Sequence, residues 1–209
     1  MHYIGIDLGQ KRDHTAIAVV ERMDKYSAYR SAEFDHLRVR YLERVPLGTA
    51  YPEVVERVRR VVRQVAREVA HGGSKDGQYG LIVDGTGVGA PVVDLLRAAR
   101  LGGELTAVTI TGGEKAVQGP GGWNVPKTDL LAGLQVLLEK DQLRISAGLR
   151  EAGALVRELM DVRVTHRGTG SVRMGAERDG QHDDLVIALS LACWKARQVR
   201  YGFGDRRLL

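Results

Sequence analysis

The chain has a single cysteine, Cys193, among its 209 residues. One thiol excludes an intrachain disulfide and a cysteine-rich zinc site, and it fits a reducing compartment. No apolar run reaches the roughly 18 residues that span a bilayer, so neither a transmembrane helix nor a membrane partner is expected. The N-terminus lacks a basic segment followed by an apolar stretch and a small-residue cleavage site, so no secretory signal is read. Internal repeats and low-complexity tracts are missing too. A G-x-x-x-x-G-K-[ST] segment is also lacking: "GGWNVPKT" holds Lys127 and Thr128 but no second glycine in its place.

What is present describes one globular domain. The length suffices for a sizeable core, expected over residues 1–200, with 201–209 as a loose tail. The formal charge is +5 and the pI about 9.5. That balance favours a polyanion such as nucleic acid over a neutral partner.

The first third has strand character. Residues 3–8 and 15–21 flank the polar turn "GQKRDH", and "YSAYRSAEF" follows. In "LRVRYLERV", Leu37, Val39 and Tyr41 alternate with Arg38 and Arg40, the period of a half-buried strand. The period then changes. Val54, Val58, Val61, Val62, Val65 and Val69 recur at helical spacing, with arginines between them as a solvated face. "LIVD" is a short continuous apolar run, typical of a buried parallel strand, and "APVVDLLRAAR" is a helix. "ELTAVTI" is a further strand. The stretch from Thr111 to Val125 holds five glycines and is expected to be a loop. Helices over "PKTDLLAGLQVLLEK" and "LREAGALVRELMDV", a hairpin over 162–176 and a final apolar helix from "HDD" complete the order. A meander followed by βα units predicts a mixed sheet, antiparallel on one side and parallel on the other, flanked by helices. A right-handed crossover would set "YIGIDL" and "LIVD" side by side.

That arrangement gives meaning to Asp7, an acid between Ile6 and Leu8 in a core strand. A buried ionised carboxylate costs several kcal/mol unless it is paired. Asp84 ends "LIVD", so the two acids would meet at the strand ends where α/β folds place their sites. Two such charges become tolerable with a divalent cation between them, and all-oxygen ligands suit Mg²⁺ and Mn²⁺. His182, Asp183 and Asp184 head the last helix. Capping accounts for one Asp there; a pair beside a histidine is more than capping requires. Asp184, Ala188 and Ala192 share a helix face, whose small residues would let the helix approach the sheet and bring Asp184 toward Asp7. Asp183 reaches the same site as an alternative or second ligand.

On these stretches, "YIGIDLGQKRDHTAIAVVE", "LIVDGTGVGAPVVDLL", "VPKTDLLAGLQVLLEKDQLRI" and "HDDLVIALSLA", the sequence resembles the ribonuclease H-like nucleases, and within them the nuclease domain of phage terminase large subunits. The resemblance implies an α/β, ribonuclease H-like fold and a two-metal endonuclease that cuts double-stranded, concatemeric DNA during genome packaging. Asp7, Asp84 and Asp183 or Asp184 would be the metal ligands for two Mg²⁺ or Mn²⁺ ions, with His182 assisting protonation, orienting a carboxylate or simply lying at the surface. It further implies a packaging ATPase domain, the portal protein and the small terminase subunit as partners, and the host cytoplasm as location. Without a P-loop, ATP-driven translocation is not assigned to this chain, which would be an excised domain or a separate nuclease.

Candidate DNA contacts are Lys11 and Arg12 after the first strand, Lys115, Trp123 and Lys127 around the glycine-rich segment, and Arg167, Arg173 and Arg178 at the hairpin. Trp123 has two readings, a base-stacking platform and a hydrophobic plug. Two other functions share parts of the pattern. A Holliday-junction resolvase of the same fold would use similar carboxylates. An actin-like ATPase or sugar kinase would use the Asp7-Leu8-Gly9 turn, Thr15 and "DGTG", but leaves "HDD" unexplained.

Overall fold

The computed structural model describes residues 1–9, 13–26, 32–71, 79–87, 89–166, 172–175 and 182–198. The elements are β1 (His2–Asp7), β2 (Ala16–Tyr26), β3 (Ala32–Arg44), α1 (Tyr51–His71), β4 (Tyr79–Asp84), α2 (Gly89–Ala98), β5 (Glu104–Thr111), β6 (Val117–Gly119), β7 (Gly122–Pro126), α3 (Lys127–Glu139), β8 (Leu143–Ile145), α4 (Ala152–Asp161), β9 (Arg163–His166), β10 (Val172–Gly175) and α5 (Asp184–Gln198). Among the described residues, no helix is long and apolar enough to cross a membrane.

Eight strands form one mixed sheet in the order β6-β7-β5-β4-β1-β2-β3-β8. β1, β2 and β3 are the antiparallel meander; β4, β5 and β7 continue parallel to β1 on its other side. β9 and β10 pair as a separate hairpin, as the sequence pattern predicted, and β10 lies against α3.

The strand period of two sorts side chains between two cores. Ile4, Ile6, Ile17, Val19, Leu81 and Val83 face α1 and α2. Tyr3, Ala18, Val20, Ile82 and Val108 face the opposite layer, where α3, α4 and α5 pack. α5 is apolar around nearly its whole circumference because it lies between the sheet and α3 and α4. The valine stripe of α1 is buried as its spacing required, and two of its arginines, Arg57 and Arg59, pair with Glu43 and Glu56.

Two edges depart from the pattern in the sequence. The glycine-rich segment builds β6 and β7 rather than a loop throughout. Gly122, at φ 147°, lies so close to the Ala107 carbonyl that a Cβ would not fit, and this lets β7 pair with β5. The glycines that suggest a loop are what permit the strand. β8 is three residues long and has no periodic signal; its pairing with Leu37–Val39 of β3 is decided by chain return after α3.

Candidate active site

β1 and β4 run parallel with Ile6 opposite Val83, so Asp7 and Asp84 emerge together at one edge of the sheet. The third acid arrives from the other side. α5 crosses β1 at Gly5, where a Cβ would collide with the Ala188 carbonyl and come within 2.9 Å of the Ala192 nitrogen. The small-residue face therefore lies directly on the strand, and Asp184, four residues before Ala188, is brought to the sheet edge. Asp7, Asp84, Asp183 and Asp184 line one pocket of about 340 Å³, with Asp13, His14, Thr86, Lys127 and His182.

Each acid is held differently. Asp84 accepts from both the backbone N–H and the hydroxyl of Thr86, the former at 2.8 Å. The Thr86 hydroxyl oxygen also accepts the Ile110 N–H at 2.8 Å, tying Asp84 to the neighbouring strand β5. Asp184 is buried and accepts the His14 N–H at 3.3 Å. Asp183 accepts from Lys127 Nζ at 2.6 Å. His14 Nδ1 lies 2.9 Å from the Val45 carbonyl. A carbonyl only accepts, so Nδ1 carries the proton in this contact. The ring of His182 meets His14 edge-on at 5.6 Å. Its buried Nδ1 has no hydrogen-bond partner among the described residues and lies 3.7 Å from Asp184 Oδ2 and 4.0 Å from Asp13 Oδ1.

Burial and mutual repulsion among the acids dominate the electrostatics of the pocket. Burial first, then the charges of Asp84, Asp184 and Asp183, push the Asp7 carboxyl well above the ordinary range, against the opposing Lys127 ammonium. Burial also raises Asp84, against its two Thr86 hydrogen bonds, and raises Asp184, against His182, the His14 N–H and Arg44. Among the described residues, five carboxylates and one ammonium line the pocket of a chain whose net charge is +5. The donor set fits a hard divalent ion: carboxylate oxygens with one imidazole at the rim. Asp13, His182 and Asp184 each offer an atom within 4.8 Å of the other two.

The structure thus brings Asp7, Asp84, His182, Asp183, Asp184 and Lys127 together, the last in contact with a carboxylate. Lys115 is exposed before β6 and does not line the pocket. Trp123 packs partly buried on β7, edge-on to Trp194 of α5 with ring centres 5.4 Å apart. Lys11, Arg12, Arg167 and Arg178 lie outside the described residues, and Arg173 is placed only as a position on β10. Sequence reading passed over Asp13, treated as part of a turn, and Thr86, whose place two residues after Asp84 is an Asx-turn signal.

A mixed sheet with an antiparallel meander, parallel strands beyond it and flanking helices is the ribonuclease H-like fold. No protein-family model and no curated protein matches the sequence. Solved structures similar to it include nuclease domains of phage large terminases. The large terminase nuclease of thermophilic phage G20c with bound magnesium is 23% identical, with a TM-score of 0.57 over 93% of this chain and 81% of that one; the same nuclease has been solved with cobalt. The nuclease domain of the bacteriophage SPP1 large terminase with bound Mn is 14% identical, TM-score 0.52, over 93% and 85% of the two chains. A K428A mutant nuclease domain from bacterial virus Sf6, with manganese and beta-thujaplicinol, is 14% identical, TM-score 0.56, over 92% and 87%.

Proposed function

We propose that this chain is a divalent-metal-dependent endodeoxyribonuclease that cuts double-stranded DNA during viral genome packaging. The observation that carries the reading is the convergence of Asp7, Asp84 and Asp184 in one pocket at the sheet edge. The fold is shared with terminase nucleases, several of them solved with magnesium, cobalt or manganese. Mg²⁺ or Mn²⁺, as two ions, would be held by Asp7, Asp84 and Asp184, with Asp183, Asp13 and His182 at the flanks.

When bound, such ions supply the positive charge that activates a water and stabilises the leaving oxygen of the phosphodiester. The protein's own part is placement and proton handling. Thr86 and the His14 N–H fix two carboxylates. Lys127 keeps an ammonium beside Asp183, where a phosphate oxygen can share it. His182, whose buried Nδ1 has no hydrogen-bond partner among the described residues, would assist protonation or orient a carboxylate at the pocket. No side chain is needed as nucleophile. The packaging ATPase domain, portal protein and small terminase subunit follow as partners, and the host cytoplasm as location.

Plasmid cleavage with Mn²⁺, Mg²⁺ or EDTA tests the reading, with wild type beside Asp7→Asn and Asp184→Asn. Nicking and linearisation that need metal and vanish in the folded variants are expected. Variants that cut like wild type would overturn the site. A strong preference for four-way junctions over linear duplex would replace the packaging role by junction resolution.

A further inference from the structure

Glu158 of α4 is a charged side chain buried in the core and plays no part in the chemistry above. Its two oxygens have different partners. One is paired with the guanidinium of Arg44, the last residue of β3. The other accepts the backbone N–H of Val186 at 3.0 Å. Val186 lies in the first turn of α5, two residues after Asp184, where backbone N–H groups have no partner within the helix.

These contacts close a ring around Asp184. Its Oδ2 accepts the His14 N–H. The His14 ring donates to the carbonyl of Val45, and the Val45 N–H donates to Thr15 at 2.7 Å. Val45 follows Arg44, Arg44 pairs with Glu158, and Glu158 returns to Val186. The close contact at Gly5 fixes the height of α5 above β1 at Ala188 and Ala192, one to two turns beyond Asp184. Glu158 adds an anchor at the helix start itself, on the backbone of Val186. Placing the anchor in the core is costly, since an ionised carboxylate there has to find both a counter-charge and a donor. Glu158 has both, and both lead to the turn that bears Asp184.

We infer that Glu158 and Arg44 are positioning residues that hold the first turn of α5 so that the Asp184 carboxylate faces Asp7. The inference rests on the reading of Asp184 as a metal ligand. Partners one step behind the ligands commonly set cation affinity by about 10–100-fold.

Calorimetric titration of the chain with Mn²⁺, well below the melting temperature, tests it without recourse to cleavage. Wild type is expected to bind and Asp184→Asn to lose binding. Glu158→Ala should bind about tenfold or more weakly while still folded. Glu158→Gln keeps an acceptor for Val186 and should recover part of the loss; it also decides the question if the alanine variant does not fold. A folded Glu158→Ala, or in its place Glu158→Gln, with a lowered melting temperature and wild-type affinity would overturn the inference and leave a plain core ion pair. Asp184→Asn binding like wild type would instead overturn the ligand reading itself, and the inference with it.

Discussion

Gly5 of β1 lies directly beneath Ala188 of α5, so close that no Cβ fits between strand and helix. Gly5→Ala should force α5 off the sheet, because the obstructing atoms are backbone and have no rotamer to escape into. Overpacking of this kind costs about 1–3 kcal/mol or more, and in a domain of this size each kcal/mol lowers the melting temperature by about 2–4 °C. Mn²⁺ affinity should fall as well, since Asp184 moves with the helix. Thermal unfolding and metal titration of Gly5→Ala check both; an unchanged melting temperature would show that the contact relaxes freely.

The carboxylates at the strand ends oppose folding when no cation is bound. Asp7 has a raised pKa in the folded protein, chiefly through burial and then through its acidic neighbours. The folded state therefore binds more protons than the unfolded chain between the ordinary carboxylate pKa and the raised one. Stability contributed by this group is lost as pH rises through that interval. Asp7→Asn should melt higher than wild type in EDTA at neutral pH, and the gap should close in acid, where Asp7 is protonated in both states. Mn²⁺ should raise the wild-type melting temperature at neutral pH and leave Asp7→Asn almost unmoved. Melting curves from about pH 3 to about pH 8 measure this; a wild type more stable than Asp7→Asn in EDTA at neutral pH would contradict it.

The same substitution should abolish cleavage. A missing ligand at a metal site removes several kcal/mol of transition-state stabilisation, or about three orders of magnitude in rate. Higher thermal stability together with lost activity is the combination that separates a site residue from a damaged fold.

Thr86 links Asp84 to β5 through one hydroxyl. Thr86→Val keeps the shape, leaves the Ile110 N–H without that acceptor and frees Asp84 from one donor. A loss of about 1 kcal/mol in stability and roughly tenfold in Mn²⁺ affinity is expected, whereas Thr86→Ser should behave like wild type. Equal affinities for Val and Ser variants would remove Thr86 from the site.

Lys127 holds an ammonium against Asp183 at the pocket. Lys127→Met should strengthen Mn²⁺ binding a few-fold, because a competing cation is gone, yet slow cleavage at saturating metal, because a phosphate oxygen loses its positive neighbour. Calorimetry and single-turnover cleavage read the two effects separately. Weaker metal binding in the variant would show that Lys127 orders Asp183 rather than competing for it.

Much of this protein is legible in its residues. Alternation in "LRVRYLERV", the valine stripe of α1, the apolar runs "YIGIDL" and "LIVD" and the small-residue face Asp184-Ala188-Ala192 are local patterns, which each segment carries by itself. The same patterns explain why Asp7, Asp84 and Asp184 stand out: they interrupt, end and head an apolar run, respectively. Tertiary structure decided the rest. Which acid of "HDD" faces the sheet depends on the rotation of α5, set by Gly5 on one side and by Glu158 and Arg44 on another. That β6 and β7 are strands depends on a free edge at β5 and on room that only Gly122 leaves. Asp13, which no sequence pattern singled out, lines the pocket because the turn after β1 folds toward it. None of these follows from neighbours in sequence, since pairing and packing between distant segments are cooperative and reward only the assembled whole.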